Sequence, residues 1–126
     1  MKKLLVLLFS ILISFNSYGG WSKITDSVKG HSFYIDENTI RKHNGYLYWW
    51  DMVDYISPTD NGIFSVKYYH KGDCGEFRVK ALSYIFYKQP MGNGASEVAN
   101  EEQPWRYPTP GSIAETMLKN VCAYIK

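Results

Sequence analysis

The chain has 126 residues, of which 14 are Lys or Arg, 12 are Asp or Glu, and 17% are aromatic. A chain of this length builds one hydrophobic core, which excludes a second large domain. The formal net charge of +2 excludes an electrostatic case for nucleic acid or an anionic membrane as partner, because such partners are bound through a large excess of Lys and Arg.

The first 19 residues have the three parts of a secretory signal peptide. Lys2 and Lys3 give a basic start, Leu4 to Ile13 an apolar run, and Ser17-Tyr18-Gly19 the small residues before a cleavage site. The apolar run is shorter than the roughly 20 residues that span a bilayer. We therefore predict a signal peptide over residues 1–19, cleaved after Gly19, and a mature chain with no membrane span.

The mature chain, residues 20–126, is predicted to be one exported domain, periplasmic or secreted. It is not expected to be a lipoprotein, since no cysteine lies near the cleavage point to carry lipid. Removal of Lys2 and Lys3 also leaves basic and acidic side chains in balance. The basic character of the full sequence therefore belongs largely to the signal.

Alternating side chains separated by turn residues predict a β-rich domain. Asn44-Gly45 is the strongest hairpin signal, and further breaks are expected at residues 57–62 and at Lys71-Gly72-Asp73. The predicted strand segments are Trp21–Thr25, Ser32–Asp36, Thr39–Lys42, Tyr46–Ile56, Ile63–His70 and Phe77–Tyr87.

The last third of the sequence divides into a loop and a helix. Gln89 to Pro110 is rich in Pro, Gly, Asn and Glu, which predicts a long loop laid over the sheet. Ser112 and Glu115 then form the pattern of a capping box, in which each side chain bonds a free backbone amide at a helix start. Apolar residues follow at helical spacing, namely Ala114, Met117, Leu118, Val121, Cys122 and Ile125. We expect this helix to pack on the sheet.

Cys74 and Cys122 are the only cysteines, and both belong to a chain bound for an oxidising compartment. A disulfide between them is predicted. Two free buried thiols or a metal pair are disfavoured, because the spacing is not that of a CxxC metal motif. Closing a loop of this length stabilises a fold by roughly 4 kcal/mol in the chain-entropy estimate.

Aromatic residues crowd into the predicted strands. Trp49 and Trp50 are neighbours in one strand, so they face opposite sides of the sheet. Either the loop that carries Trp105 covers the outward tryptophan, or that side chain is part of an exposed surface. The candidate binding or dimer surface therefore consists of Trp49, Trp50, Tyr48 and Trp105.

No catalytic motif is present, and no pattern indicates a cofactor, phosphate or metal site. His31, His43 and His70 each have the ordinary interpretation of a solvated histidine near a turn. His70 and Asp73 flank a predicted turn and could share one site, but the disulfide leaves no cysteine as nucleophile. We therefore predict a protein without catalytic residues, cofactor or metal.

Several short motifs spread over the chain form an ordered set. They are Tyr34-Ile35-Asp36, Thr39-Ile40, Trp50-Asp51-Met52-Val53-Asp54-Tyr55, Ser65-Val66-Lys67, Asp73-Cys74, Arg78, Tyr87, Met91-Gly92-Asn93-Gly94, Trp105, and Pro110-Gly111-Ser112 leading to Cys122. This set resembles the bacterial surface-adhesin protein E family of small exported domains, from Trp21 to Cys122.

The resemblance implies an α+β fold, namely a curved antiparallel sheet of about six strands with a C-terminal helix packed on it and a strand-to-helix disulfide. The family's named member is a lipid-anchored adhesin that binds host extracellular-matrix and serum proteins and can dimerise. No ligand-binding segment of it can be assigned to residues of this chain.

Two functions of different class follow. The first is an exported, adhesin-like binding module for a host matrix protein, such as vitronectin or laminin, or another extracellular protein. The second is a periplasmic structural or accessory protein that acts through an envelope protein partner or a homodimer.

Overall fold

The computed structural model describes residues 20–125, so the predicted signal peptide lies outside the described residues. Six antiparallel strands form one sheet in sequence order, and one helix follows. The strands are β1 (Trp21–Asp26), β2 (Ser32–His43), β3 (Tyr46–Asp54), β4 (Ser65–Asp73), β5 (Arg78–Gln89) and β6 (Asn93–Ala99), and the helix α1 spans Ile113–Tyr124. The predicted α+β class is confirmed.

The β2–β3 hairpin turns at Asn44-Gly45, as predicted, with φ angles of 51° and 85°. Strand β2 joins two segments that the sequence indicated separately, and its register with β3 shifts between Asp36 and Arg41. Within this irregular stretch the Thr39 hydroxyl accepts a hydrogen bond from the Trp50 amide (3.0 Å) and donates one to the Asp36 carbonyl (2.7 Å). The threonine side chain thus replaces ladder bonds that the bulge removes.

The predicted turn at Lys71-Gly72-Asp73 is wrong, because these residues end strand β4 and the chain turns over residues 74–77 instead. Gly72 has a packing role. A Cβ atom at this position would lie 2.7 Å from Cζ3 of Trp49 and 3.1 Å from Cδ1 of Leu118. Glycine is therefore needed here so that the indole ring can approach the backbone of β4 closely.

Gly72→Ala is expected to lower the free energy of unfolding by about 1–3 kcal/mol, because the added methyl group overpacks the core against Trp49. Urea denaturation followed by circular dichroism measures this change. Gly75→Ala is the matched control, since its Cβ would meet only Asp73 Oδ1, at 3.5 Å. Equal stability of the two variants would contradict the packing role of Gly72.

The predicted loop over residues 89–110 is wrong in part, because Asn93–Ala99 form strand β6 and the segment runs along the outer edge of β5. Strand β6 pairs with the second half of β5. Beyond it, Arg106 exchanges two backbone hydrogen bonds with Val79 (2.9 Å each), and the Gln103 amide donates to the Ala81 carbonyl (2.9 Å). Unpaired backbone groups along a strand need partners, and this need overrides the loop-like composition.

A tight 3₁₀ turn at Pro90–Gly92 precedes β6 and closes one end of the sheet. The Met91 amide donates to the Asp54 carboxylate (2.7 Å), and the Gly92 amide donates to the Ser65 hydroxyl (2.8 Å). These bonds hold the turn against the middle strands, where Met52 is buried.

Helix α1 lies on one face of the sheet and starts at the predicted N-cap. The Ser112 hydroxyl accepts from the Glu115 amide (3.2 Å), while the Glu115 carboxylate accepts from the Gly111 amide (3.1 Å), one residue before the expected partner. The core under the helix consists of Ile35, Leu47, Trp49, Val79, Met117, Leu118 and Val121. The predicted disulfide is present and joins Cys74, after β4, to Cys122 in the helix.

Candidate functional site

The two faces of the sheet have different surroundings. The helix face carries Leu47 and Trp49 and is covered by α1. The opposite face, here called the open face, carries Tyr48 and Trp50. Trp49 is 1% exposed, so this member of the predicted surface set is a core residue. Trp50 is partly exposed and is therefore the outward tryptophan that the sequence left unassigned.

The open face carries a row of aromatic rings in two groups, with Lys71 between them. Trp50 lies against Tyr69 with ring centroids 5.1 Å apart, and Tyr69 stacks on Tyr48 at 6.2 Å. Arg41 donates a hydrogen bond to the Tyr69 hydroxyl (2.7 Å), and its guanidinium lies 5.5 Å from the Tyr48 ring centroid. The bond to Tyr69 raises the pKa of Arg41. Arg41 is thus held between two of these rings, Tyr69 and Tyr48.

The row continues to the other end of the face, where Trp105 lies 5.7 Å from Tyr46. Lys71 lies 4.2 Å from the Tyr46 ring, and Arg78 lies 4.3 Å from the Trp105 ring. Of the two alternatives for the outward tryptophan, the ring contacts favour the surface: Trp105 packs beside Tyr46, and Trp50 is a partly exposed ring beside Tyr69.

We call this row the aromatic–cation stripe. Its rings are Trp50, Tyr69, Tyr48, Tyr46 and Trp105, and its cations are Arg41, Lys71, Arg78 and Lys80. Two of the cations have acidic partners. Arg78 binds Asp73 (3.0 Å) and Lys80 lies 3.4 Å from Glu102. The stripe therefore combines amphipathic rings with an excess of positive charge.

Acidic partners also fix the ionisation of this end of the stripe. The hydrogen bond from Arg78 to Asp73 raises the pKa of Arg78. The pKa of Asp73 is lowered, first by the backbone amide of Glu76 and then by Arg78. Both groups are charged at neutral pH, so Arg78 stays in place as a cation over Trp105.

A polar cluster of Asp51, Trp49 and His70 lies on the helix face and is not indicated by any sequence motif. The Asp51 carboxylate, 5% exposed, accepts a hydrogen bond from Trp49 Nε1 (3.0 Å), and the same Oδ2 atom lies 2.7 Å from His70 Nδ1. His70 is therefore not a solvated turn residue, and it does not share a site with Asp73. The alternation of side chains in a strand places Trp49 and Asp51 on the same face. The register between β3 and β4, which brings His70 beside them, cannot be deduced from the sequence.

Tyr68 lies beside this cluster and stacks on His70 with centroids 5.5 Å apart. Burial raises the pKa of the Tyr68 hydroxyl, and the proximity of Tyr55 and Asp51 adds to the effect, so the phenol is neutral and able to donate. Both cysteines are in the disulfide. Over residues 20–125, no group of three His, Cys, Asp or Glu side chains is placed to hold a metal ion.

The sequence matches the profile of the family described as Surface-adhesin protein E over residues 21–123. The chain belongs to the surface-adhesin protein E family. No curated protein matches it. Membership suggests a non-enzymatic binding protein with an exported, surface location. Among the described residues, no helix is long and apolar enough to cross a membrane.

Solved structures of protein E from Haemophilus influenzae share the fold. The structure of crystal form II of that protein is 20% identical in sequence and superposes with a TM-score of 0.66. The match covers 85% of this chain and 91% of the protein E chain. A second structure is 19% identical over 82% of this chain and 84% of its own, with a TM-score of 0.63. Protein E from a non-typeable strain is 17% identical, with a TM-score of 0.59, and the match covers 82% of this chain and 76% of that chain. The shared fold therefore spans most of this chain and most of each protein E chain.

Proposed function

We propose that this chain is a non-catalytic, adhesin-like binding module that is exported by cleavage after Gly19 and binds an extracellular protein through the aromatic–cation stripe. The observation that carries the proposal is the stripe itself. Membership of the surface-adhesin protein E family gives the class of function, and the stripe gives it a place on the molecule.

The side chains of the stripe are those that dominate protein interfaces. Tyr, Trp and Arg supply most interface hot spots. Tyr and Trp bring a large contact area at a small cost in conformational entropy, and Arg brings several hydrogen-bond donors on a planar group. The ring contact of Trp50 with Tyr69 and the bond from Arg41 to Tyr69 hold these groups in place before a partner arrives. Such pre-organisation reduces the entropy lost on binding.

The charge of the stripe indicates the complementary surface. All four cations lie over aromatic rings, but Arg78 and Lys80 are partly neutralised by Asp73 and Glu102. A partner with acidic side chains around an apolar contact would pair with the other two cations, Arg41 and Lys71, and cover the rings. Its binding should weaken as salt is raised.

Trp50→Ala is expected to weaken binding to the matrix partner by about 10–30-fold, the effect typical of a central aromatic anchor. Surface plasmon resonance of the folded, disulfide-bonded protein over immobilised laminin and vitronectin measures it. Tyr124→Ala is the matched control, because Tyr124 is also exposed but lies on α1, across the sheet from the stripe.

Two results would overturn the proposal. Absence of binding to both matrix proteins would remove the host-matrix partner. Binding that Trp50→Ala and Tyr124→Ala leave equally strong would remove the stripe as the site.

A further inference from the structure

A cavity of about 330 Å³ lies between the helix face of the sheet and the first turns of α1. Its apolar walls include Trp49 and Phe33 from the sheet and Ile113, Met117 and Leu118 from the helix. This volume falls at the lower end of the range for small-molecule sites in proteins. It lies across the sheet from the aromatic–cation stripe, so its occupant differs from the protein partner proposed above.

His70 is one of the polar residues that line this cavity. Its Nδ1 is engaged by Asp51 (2.7 Å), which fixes the orientation of the ring. The hydrogen bonds of residues 20–125 include none from Nε2, and no described side-chain nitrogen or oxygen is both buried and without a partner. The Nε2 atom therefore reaches solvent, and Tyr68, stacked on the same ring, also lines the cavity.

Arg106 supplies positive charge at the rim. Two backbone hydrogen bonds to Val79 (2.9 Å each) hold it beside β5, and antiparallel pairing places it on the same face as Val79. Trp105, its neighbour in the chain, faces the stripe. The ion pairs of the described residues do not include Arg106, so its guanidinium is available to an anionic ligand.

We propose that this cavity binds a small monocarboxylate with an apolar body, such as a medium-chain fatty acid or an aromatic acid of similar size. The apolar body lies between Trp49 and the helix residues Met117 and Leu118. The carboxylate pairs with Arg106, which can offer two parallel N–H donors, and the Tyr68 hydroxyl and His70 Nε2 supply further polar contacts. The Asp51 carboxylate already has Trp49 and His70 as hydrogen-bond partners, and these contacts reduce its repulsion of the ligand carboxylate.

Octanoate titrated into the ¹⁵N-labelled, disulfide-bonded protein tests the proposal. Saturable shifts are expected in the Trp49 indole N–H signal and in the amides of Ile113 and Leu118, and an aromatic acid, benzoate, should shift the same signals. Octan-1-ol has the same apolar body without the charge and should bind at least tenfold more weakly, since a charge-assisted hydrogen bond is lost.

Two variants separate the charge from the cavity. Arg106→Gln, at an exposed position, should weaken octanoate binding about tenfold without loss of fold, whereas Lys42→Gln, at an exposed cation outside the cavity, should leave it unchanged. Ala114→Phe fills the cavity and should abolish binding. Absence of shifts at Trp49, Ile113 and Leu118 with both acids would overturn the proposal, as would equal octanoate affinity of wild type and Arg106→Gln.

Discussion

Removal of the Cys74–Cys122 disulfide is expected to lower the free energy of unfolding by about 4 kcal/mol. The bond closes a loop with a sequence separation of 48 residues, so in the chain-entropy account it removes many conformations from the unfolded chain. The bond also joins the turn after β4 to the last part of α1. Apart from the 3₁₀ turn, α1 is the only helix of the described residues. A loss of this size is a large part of the total stability of a small domain.

The double variant Cys74→Ala/Cys122→Ala, compared with wild type in urea denaturation, measures this effect. Wild-type protein unfolded with and without reductant provides the control, because the reduced chain keeps both thiols and loses only the bond. A midpoint of unfolding that is unchanged by reductant would show that the bond contributes nothing to the stability of the fold.

Trp49→Ala and Trp50→Ala are expected to differ strongly, although the two residues are adjacent. Trp49 is 1% exposed and central to the core, and its Nε1 donates to the buried Asp51 carboxylate (3.0 Å). Its truncation should cost about 3–5 kcal/mol through the cavity it leaves. Trp50 is partly exposed on the open face, where loss of its ring contact with Tyr69 should cost about 1 kcal/mol.

Thermal and urea unfolding of both variants give the comparison. Trp50→Ala should fold normally and lose partner binding, while Trp49→Ala should lose stability. Similar destabilisation by the two changes would contradict the assignment of the two tryptophans to opposite faces.

Features with a strong local cause were predicted correctly from the sequence. Asn44-Gly45 forms the expected hairpin because both residues take positive φ, and Ser112 caps the helix because its hydroxyl reaches the Glu115 amide. The disulfide was predicted on a different basis, the presence of two cysteines in a chain predicted to be exported. None of these features depends on which strand lies beside which.

The errors concern features that depend on tertiary context. Gly72 resembles a turn residue in the sequence, but it is required by the ring of Trp49. The segment after Gln89 has the composition of a loop, yet β6 forms because the edge of β5 needs partners. The pairing of Asp51 with His70 depends on the register between β3 and β4, which no local pattern specifies.

The structure separates two surfaces with different chemistry. The aromatic–cation stripe lies on the open face, and the polar cluster of Asp51 and His70 lies on the helix face. A protein partner and a small ligand could therefore be bound at once, with the sheet between them.

Protease accessibility on intact cells tests most directly whether this chain acts as an outward-facing adhesin. An epitope tag placed between Ser57 and Pro58, in the exposed β3–β4 turn, avoids β6 and the residues of the stripe. Digestion of the tag in intact cells is the expected result. Protection until the outer membrane is permeabilised would contradict the adhesin function and place the domain in the periplasm, where an envelope protein or a second copy of the chain would be its partner.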